Sequence, residues 1–354
     1  EGLLEKYGRS EETAELLDFV TLGMIADLVP LVKENRYLVK IGLTRLVNSQ
    51  RPGIKALLTQ VGGKEDTDLV GFGLAPRINA VGRLSDASAA VELMTTEDEV
   101  RADELAKQLA RENLRRQELC EKIYMEAEHK VLNTCNLDND KGIVIYNEGW
   151  HHGVVGIVAS RLVDLFSRPT FVISLKDGVG KGSGRSVSDF NIHKGLQQCA
   201  PLLLSYGGHY RAAGISIKED DIDEFACMLD EIIRNSVQSS EMVSQTLIDA
   251  ECRLQDISLD LIRQMSMLAP FGSENPEPVL CSRNIRASSP VIVGNNHLKM
   301  RLVDDSASLN AIWFGMGKHL GAINSATRID ITPLSPSRKR SLGSMAVSCS
   351  KGLR

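Results

Sequence analysis

The first third of the chain has apolar residues at intervals of three and four, which is the spacing of one face of an α-helix. This spacing predicts helices over residues 13–47, with a break at Pro30, where the proline ring removes a backbone donor. A second helical stretch opens at Pro52 and closes at Gly62 and Gly63. The N-terminal part is therefore expected to be helical.

One long helix is predicted to follow. Thr96 and Glu99 have the spacing of an N-terminal capping box, and no Gly or Pro occurs from there to Asn133. At 1.5 Å per residue this helix would be about 55 Å long. Such a length is better suited to joining domains than to lying within one.

After Asn133 the pattern alternates between short β-branched runs and helical runs. The predicted strands cover residues 142–146, 170–174 and 214–217, and the predicted helices cover residues 154–165, 192–204 and 222–233. This alternation is typical of an α/β domain.

The remaining sequence predicts a linker, a small β domain and a tail. Residues 236–249 have the composition of a linker. The strand-like runs beyond it cover residues 284–293, 298–303, 309–314 and 328–331. The tail after Pro333 is rich in Ser and has five basic and no acidic residues, so we expect it to be disordered.

The composition is that of a globular protein. Of the 354 residues, 43% are hydrophobic and 25% are charged, which excludes a collagen-like or wholly disordered chain. No apolar run reaches the roughly 18 residues that span a bilayer, and seven scattered cysteines form no C-x-x-C pair. We therefore expect no membrane partner, free thiols and a cytoplasmic location. The absence of Met at position 1 indicates part of a longer protein.

The charge is unevenly distributed. The formal net charge is −5, which argues against a basic coat for nucleic acid over the whole surface. Residues 151–217, however, hold seven Lys and Arg against three Asp, whereas residues 218–260 hold three against twelve acidic residues. A positive segment beside an acidic one is typical of an anion-binding cleft.

Five short motifs carry residue types suited to phosphate or metal binding. They are GMIADLVPL at residues 23–31, PRINAVGRL at 76–84, EGWHHG at 148–153, GKGSGRS at 180–186 and GGHYRAAG at 207–214. Arginines suit bidentate phosphate contacts, and glycines let the backbone approach a phosphate closely. A helix that begins near Gly153 would also offer backbone N–H groups to an anion.

Each motif has a structural alternative. Asp27 would also suit a helix cap or a salt bridge, and the arginines of residues 76–84 would suit structural salt bridges. His151 and His152 are adjacent, so their side chains are expected to point apart rather than share a metal ion. The glycine-rich segments would equally suit a flexible loop at residues 180–186 and close backbone packing at residues 207–214.

Taken in this order, the motifs resemble the RecJ family of single-strand-specific 5′→3′ exonucleases, within the DHH phosphoesterase superfamily. The segments that carry the resemblance are residues 23–31, 76–87, 148–162, 182–186, 207–214 and 269–278. GGHYRAAG resembles the signature of the DHH-associated domain, whereas the WH-x-GVVGIVASRL and PFG-x-x-NPEP segments are more specific to RecJ. The resemblance covers roughly residues 13–332.

The resemblance implies an α/β fold of four parts. They are the C-terminal end of a DHH phosphoesterase domain at residues 1–95, a long connecting helix at 96–135, an α/β DHH-associated domain at 136–235 and, after the linker at 236–249, a partial OB-type β barrel at 250–333. The disordered basic tail would then occupy residues 334–354.

The resemblance also implies metal-dependent phosphodiester hydrolysis in DNA repair and recombination. Asp27 is similar to the last metal-binding Asp of the catalytic domain, which in this family holds two Mn²⁺ or Mg²⁺ ions. The family's earlier motifs, a D-x-D element and an Asp-His-His triplet ahead of Asp27, are absent from the sequence, so we expect this chain to be inactive alone.

The substrate-holding residues are implied in the same way. The terminal 5′-phosphate of a DNA single strand would be bound by Arg83, Ser183 and Arg185. The path of the strand would be lined by Arg77, Gln117, Arg161, Gly207, Gly208 and His209. A RecQ-type helicase and a single-strand-binding protein are the implied partners of a monomer.

Two other function classes stay open. One is a non-catalytic module that binds single-stranded nucleic acid. The other is a nanoRNA or cyclic-dinucleotide phosphodiesterase, which shares GGH-x-x-AAG; the long helix and the region 250–332 disfavour it.

Overall fold

The computed structural model describes residues 14–63, 65–187, 190–236, 247–325, 328–334 and 345–348. The chain divides into two structural units. The first unit comprises residues 1–50, 61–75 and 246–354, and the second comprises residues 51–60 and 76–245. Across the described ranges, no helix combines the length and the apolar character needed to cross a lipid bilayer.

The N-terminal part is helical, as predicted. The helices are α1 (Leu17–Ala26), α2 (Lys33–Val47), α3 (Pro52–Val61), α4 (Ala75–Leu84) and α5 (Ser88–Thr95), with a π-helical turn at Leu69–Leu74 before α4. Pro30 lies in the break between α1 and α2. These two helices pack closely because Gly42 has no side chain: a Cβ there would lie 1.7 Å from Thr21 Oγ1.

The predicted long helix is α6 (Glu99–Thr134), which has 36 residues. Its N-terminal cap differs from the prediction. Asp98 Oδ1 accepts hydrogen bonds from the backbone N–H groups of Val100 at 2.8 Å and Arg101 at 3.1 Å. Thr96 has an extended backbone at the end of α5 and instead accepts from the N–H of Asp98. The prediction of a capping box from Thr96 to Glu99 is therefore wrong. The N-cap is Asp98, two residues later, so Thr96 lies too far from the first turn of α6 to cap it.

Replacing Asp98 tests its assignment as the N-cap of α6. Asp98→Ala leaves two N–H groups at the start of α6 without their acceptor, so we expect the free energy of unfolding to fall by about 1 kcal/mol. Urea unfolding followed by the fluorescence of Trp150, in a Trp313→Phe background, measures the change. Thr96→Ala is the matched control and should cost less; a larger loss for Thr96→Ala would contradict the assignment.

The second unit contains a five-stranded sheet. Its strands are β1 (Ile143–Glu148), β2 (Thr170–Lys176), β3 (Val179–Arg185), β4 (Leu203–Gly208) and β5 (Ala212–Lys218), in the order β1-β2-β3-β5-β4. β1 and β2 are parallel, and the other pairs are antiparallel. The helices of this region are α7 (Val155–Phe166), α8 (Ile192–Gln198) and α9 (Ile222–Ser236).

Two elements of this sheet were mispredicted. The glycine-rich segment 180–186 is not a flexible loop, because residues 179–185 form the central strand β3. A Cβ on Gly184 would lie 2.4 Å from the Phe171 ring, so the glycines let β3 lie beneath bulky neighbours. The helix predicted over residues 192–204 ends at Gln198, since Pro201 cannot continue it, and β4 follows.

Each face of the sheet covers a hydrophobic core. On one face, Phe171 and Phe225 are fully buried and pack edge to face, with ring centroids 5.4 Å apart. On the other face, Val158 of α7 and Ile123 of α6 pack into a second core with Val172. This second core fixes α6 and α7 against the sheet.

The C-terminal region is a β structure with two further helices, α10 (Leu259–Ser266) and α11 (Leu320–Ser325). Its strands are β6 (Ala250–Glu251), β7 (Leu280–Val293), β8 (His297–Val303), β9 (Ser308–Trp313), β10 (Ile329–Ile331), β11 (Pro333–Leu334) and β12 (Met345–Ser348). The sheet order is β10-β7-β8-β9-β12-β11, and β6 also pairs with β7. The four strands predicted in this region are all present.

One part of the predicted disordered tail is ordered. Residues 345–348 form β12, which pairs antiparallel with β9. Backbone pairing with β12 satisfies the free edge of β9, and the sequence composition gave no sign of this pairing. The predicted linker residues 237–246 and tail residues 335–344 and 349–354 lie outside the described residues.

A pH dependence arises at the turn between β8 and β9. Burial acts to raise the pKa of Asp304, but hydrogen bonds from the Ser306 hydroxyl and from the N–H groups of Leu254, Ala307 and Ser306 lower it to about 2. A carboxyl whose pKa is depressed in the folded state stabilises that state above its unfolded pKa of about 4. This stability is lost as the pH falls from about 4 through 2.

We expect Asp304→Asn to cost about 1 kcal/mol at pH 7, after allowance for solvent screening, and nothing below pH 2. Trp313 fluorescence during urea unfolding, in a Trp150→Phe background, reports on this unit. A difference between Asp304→Asn and the parent that stays constant from pH 7 to pH 2 would contradict this origin.

Candidate nucleic-acid interface

Ser183 and Arg185 lie on one face of β3. Side chains alternate along a strand, and Gly184 between them faces Phe171 in the core. Ser183 and Arg185 therefore face the other side, towards the start of α7. A Cβ on Gly156 of α7 would lie 2.9 Å from Ser183 Oγ and 3.1 Å from Arg185 Nη2. Gly156 thus lets both side chains approach the helix closely.

The Arg185 guanidinium is held in place by its own strand. Its Nη1 donates hydrogen bonds to Ser183 Oγ at 3.0 Å and to the carbonyl oxygen of Gly184 at 2.9 Å. Burial and the nearby Arg83 guanidinium lower the pKa of Arg185. The sequence-derived pair of Arg83 and Arg185 is therefore brought together by the fold.

Arg83 reaches this place from the last turn of α4. Its Nη1 donates to the carbonyl oxygen of Gly153 at 3.3 Å. Gly153 is required there, since a Cβ would lie 2.1 Å from the carbonyl oxygen of Arg83. The turn before α7 and the end of α4 are consequently in direct contact.

A third arginine belongs to the cluster, although the sequence analysis did not predict it. Arg116 of α6 donates from Nη2 to Asn113 Oδ1 at 2.7 Å, and burial together with Arg83 lowers its pKa. Its Nε is buried and has no hydrogen-bond acceptor among the described residues. Arg116 directly precedes the predicted Gln117, but the sequence offers nothing to rank it above Arg111 or Arg115.

Three guanidinium groups are thus gathered without a facing carboxylate. Within the described part of the chain, no Asp or Glu oxygen lies within 4.0 Å of Arg83, Arg116 or Arg185. Arg116 and Arg185 are half-buried, and Arg83 is exposed beside them. Like charges held close together raise the free energy of the protein until an anion neutralises them. With Ser183 and the N-terminus of α7, the cluster has the donors of a phosphate-binding site.

The sheet beside Ser183 has a bare surface. Ser183 pairs with Gly214 of β5, and Gly214 pairs with Gly207 of β4. A Cβ on Gly207 would meet nothing within 4 Å, and one on Gly214 would meet only the carbonyl oxygen of Gly182, at 3.8 Å. An extended ligand therefore has open space over β5 and β4, next to the arginine cluster.

Gly208 and His209 form the turn that ends this surface. Gly208 has a φ of 149°, and a Cβ there would lie 2.3 Å from the carbonyl oxygen of Ala212. The N–H of His209 donates to that same oxygen at 2.8 Å, and Ala212 pairs with Arg185. Two strand spacings separate the turn from β3, about 10 Å. His209 is exposed at the same end of the sheet as Arg185.

The other residues predicted to contact DNA differ in their exposure and in their partners within the protein. Arg161 of α7 is engaged within the protein: Nη1 lies 2.8 Å from Glu121 Oε2, and the guanidinium carbon is 3.6 Å from the Tyr124 ring centroid. Gln117 is exposed on α6. Arg77 is half-buried in the first turn of α4.

The histidine pair also departs from the prediction. The rings of His151 and His152 do not point apart but stack, with centroids 5.0 Å apart and planes inclined by 12°. They occupy an irregular turn before α7 rather than a regular helix or strand, so the alternation rule does not apply. His151 Nδ1 accepts from the N–H of Gly153 at 3.1 Å, and burial, His152 and Arg115 lower the pKa of His151.

Asp27 belongs to the first unit, where it caps the C-terminus of α1 and is exposed. A two-ion centre needs several oxygen ligands, and the described ranges contain no group of three His, Cys, Asp or Glu residues arranged to hold a metal. Asp27 by itself does not fit such a centre.

Two family models match the chain. Residues 139–235 match the DHHA1 domain, and residues 248–334 match the RecJ OB domain. The five-stranded sheet, with Ser183 and Arg185, falls in the first match, whereas Arg83 and Arg116 lie before it, and most of the C-terminal β structure falls in the second. The predicted fold class, an α/β DHH-associated domain followed by an OB-type β domain, is confirmed.

The chain is also similar to curated and solved proteins. It is 39% identical over 324 residues to the single-stranded-DNA-specific exonuclease RecJ of Bacillus subtilis, covering 90% of this chain and 41% of that protein. The crystal structure of RecJ with Mg²⁺ from Thermus thermophilus has a TM-score of 0.77 and 30% identity, covering 88% of this chain and 52% of that one. A structure of the same protein with Mn²⁺ has a TM-score of 0.77 and 31% identity, with 88% and 48% covered. The chain spans about half the length of the relatives it matches.

Proposed function

We propose that this RecJ-like chain, with its DHHA1 domain and RecJ OB domain, holds the 5′ end of a DNA single strand for a 5′→3′ exonuclease. The observation that carries the proposal is the cluster of Arg83, Arg116 and Arg185 beside Ser183, without a carboxylate partner in the described residues. Such a cluster binds a terminal phosphate, which carries more charge than an internal phosphodiester. It does not read bases, so binding is independent of sequence.

The residues take distinct parts in this proposal. Ser183, Arg83, Arg185 and Arg116 contact the terminal phosphate. The strand continues over the open sheet at Gly207 and past the turn at Gly208 towards His209, where stacking and backbone contacts are available. Gln117 and Arg77 approach the strand from α6 and α4, and Arg161 contributes after exchange of its Glu121 partner for a phosphate.

Hydrolysis is proposed for the longer proteins that contain such a chain. The RecJ relatives are named exonucleases, and their structures hold Mg²⁺ or Mn²⁺. Metal ions of this kind activate water and stabilise the leaving oxygen. Asp27 is proposed as one catalytic and metal-binding residue, and the 354-residue chain alone is proposed to bind without efficient cleavage.

We further propose that the chain acts as a monomer whose partners are a RecQ-type helicase and a single-strand-binding protein. Its functional parts are the end of a catalytic domain at residues 1–95, a connecting helix at 96–135, a substrate-binding domain at 136–235 and a β domain at 250–333.

One experiment tests binding and hydrolysis together. Labelled single strands that end in 5′-phosphate or 5′-hydroxyl are titrated with the full chain, first in EDTA and then with Mn²⁺. We expect at least about tenfold tighter binding of the phosphorylated strand, weakening with salt, and no processive digestion. Equal affinity for both strands would refute the 5′-phosphate site, and strong digestion would refute the incomplete metal centre.

A further inference from the structure

Asn113 is a buried polar side chain on the inner face of α6, and it contacts the arginine cluster. It is 4% exposed, and the other buried residues of α6 are apolar or, at Cys120, a thiol. Its Oδ1 accepts a hydrogen bond from Arg116 Nη2 at 2.7 Å. The two residues are three positions apart, so they lie on the same face of the helix. Burying an amide among apolar side chains costs free energy unless it is hydrogen-bonded, and the bond to Arg116 offsets that cost.

Asn113 also fixes the direction of the Arg116 guanidinium. In the described part of the chain it is the only acceptor that Arg116 meets. The guanidinium is planar, so a bond at Nη2 also sets where its other N–H groups point. Glu112 lies one helical turn before Arg116, but its Oε2 is 3.9 Å from Arg115 Nη1 and has no hydrogen-bond partner among the described residues. The acceptor of Arg116 is thus an amide, although a carboxylate lies nearby on the same helix.

The three arginines of the cluster are held by uncharged acceptors throughout the described ranges. These acceptors are the carbonyl oxygens of Gly153 and Gly184, the hydroxyl of Ser183 and the amide oxygen of Asn113. An uncharged acceptor orients a guanidinium without cancelling its charge. Arg161 differs, because the Glu121 carboxylate both orients its guanidinium and neutralises it. The cluster therefore keeps its positive charge while its side chains are held in place.

An aspartate at position 113 would have nearly the same shape as asparagine, with an oxygen in place of the NH₂ group. Its hydrogen bond to Arg116 would be charge-assisted and roughly twice as strong as the bond to an amide. It would also neutralise Arg116 and weaken the attraction of the cluster for an anion. Asparagine thus makes the weaker bond within the protein, and this leaves the charge of Arg116 available to a ligand.

We propose that Asn113 is a positioning residue of the phosphate site, which aims Arg116 at the terminal 5′-phosphate and keeps the cluster positively charged because its amide is neutral. This inference rests on the proposed function, since it concerns the same site. Asn113 does not itself contact the DNA strand, and its whole effect on binding passes through Arg116.

The test is Asn113→Asp in the full chain, with Asn133→Asp as the matched control. Asn133 is exposed near the end of α6, about 30 Å from Asn113 along the helix axis, and salt screens a charge over such a distance. Fluorescence anisotropy gives the ratio of the dissociation constants for 5′-hydroxyl and 5′-phosphate strands. We expect Asn113→Asp to lower this ratio about tenfold and Asn133→Asp to leave it unchanged.

A stability measurement separates positioning from a purely structural role. The midpoint of urea unfolding should stay close to that of the parent in Asn113→Asp, because the new ion pair with Arg116 offsets the cost of burying a carboxylate. If Asn113→Asp keeps the end preference of the parent, or if both Asp variants lose it equally, the inference is overturned while the proposed function stands. A parent chain without any end preference refutes the proposed function itself.

Asn113→Ala provides a second test that adds no charge. It removes the acceptor of Arg116, so we expect the end preference to fall about threefold in the parent and no further in an Arg116→Ala background. An equal fall in both backgrounds would mean that Asn113 acts independently of Arg116, which overturns the inference. This pair of measurements also decides the question if Asn113→Asp does not fold.

Discussion

Arg185→Ala is expected to abolish the distinction between 5′-phosphate and 5′-hydroxyl ends. The parent chain gains charge-assisted hydrogen bonds of about 1.5–3 kcal/mol from this guanidinium, which corresponds to roughly 10–100-fold in affinity. Arg185 is the member of the cluster held by its own strand, at 3.0 Å from Ser183 Oγ. Without Arg185, the repulsion within the cluster is smaller. Binding of an anion by Arg83 and Arg116 therefore relieves less of it. Fluorescence anisotropy with the two labelled strands measures the ratio of dissociation constants.

The matched variant is Arg185→Lys, which keeps the charge but loses the planar fork. We expect it to keep general binding to single strands and to lose part of the end preference. Arg168→Ala is unsuitable as a control because Arg168 stabilises the fold through the carbonyl oxygens of Asp140 and Phe166. An end preference that persists in Arg185→Ala would place the terminal phosphate elsewhere and remove the main support for the proposed function.

Gly184→Ala is expected to destabilise the second unit by about 3 kcal/mol, since overpacking a filled core has this order of cost. The added Cβ would lie 2.4 Å from two atoms of the Phe171 ring and 2.8 Å from Ile192 Cδ1. Phe171 is fully buried and packs on Phe225, so the ring has no free space into which to move. Urea unfolding followed by Trp150 fluorescence, in a Trp313→Phe background, measures the loss.

Gly207→Ala provides the control, because it adds the same atom to the same sheet where nothing lies within 4 Å. Its stability should be unchanged or slightly higher, as alanine loses less backbone entropy than glycine on folding. Equal destabilisation by the two substitutions would indicate that glycine is needed for backbone flexibility. In that case, steric crowding by Phe171 would not be the reason for glycine in β3.

The two glycine motifs thus have different physical roles. In GSGR, Gly184 provides space for Phe171, and this packing aims Ser183 and Arg185 at α7. In GGHYRAAG, Gly207 and Gly214 leave the sheet surface open, whereas Gly208 adopts a backbone conformation that other residues rarely tolerate. The glycine of the first motif allows the packing that positions the donors Ser183 and Arg185. The glycines of the second motif determine the shape of the sheet surface beside them.

Arg161, which is predicted to line the path of the DNA strand, already has partners within the protein. Its guanidinium is paired with Glu121 and stacked on Tyr124, which together hold α7 against α6. A phosphate must compete with this carboxylate before it can bind Arg161. Arg161 therefore has a structural role as well, whereas Arg83 and Arg185 have no carboxylate competitor among the described residues.

Local pattern was sufficient for much of the architecture. The spacing of apolar residues predicted α6 and the strands of the C-terminal region, since helices and half-buried strands impose periods that a sequence shows directly. It failed at residues 180–186 and 203–208, where glycine and exposed polar residues hide the strand pattern. Their strand conformation depends on pairing with the adjacent strands, through residues such as Phe171 of β2 and Ile215 of β5.

The sequence by itself determined the kinds of chemistry available: arginines and glycines for holding a phosphate, and a single candidate metal-binding Asp at residue 27. Tertiary structure decided which arginines act together. Arg83, Arg116 and Arg185 come from α4, α6 and β3, and only the packing of these elements around Gly153 and Gly156 brings them to one place. Long-range electrostatic coupling of this kind has no local sequence period, which is why Arg116 became visible only in the folded chain.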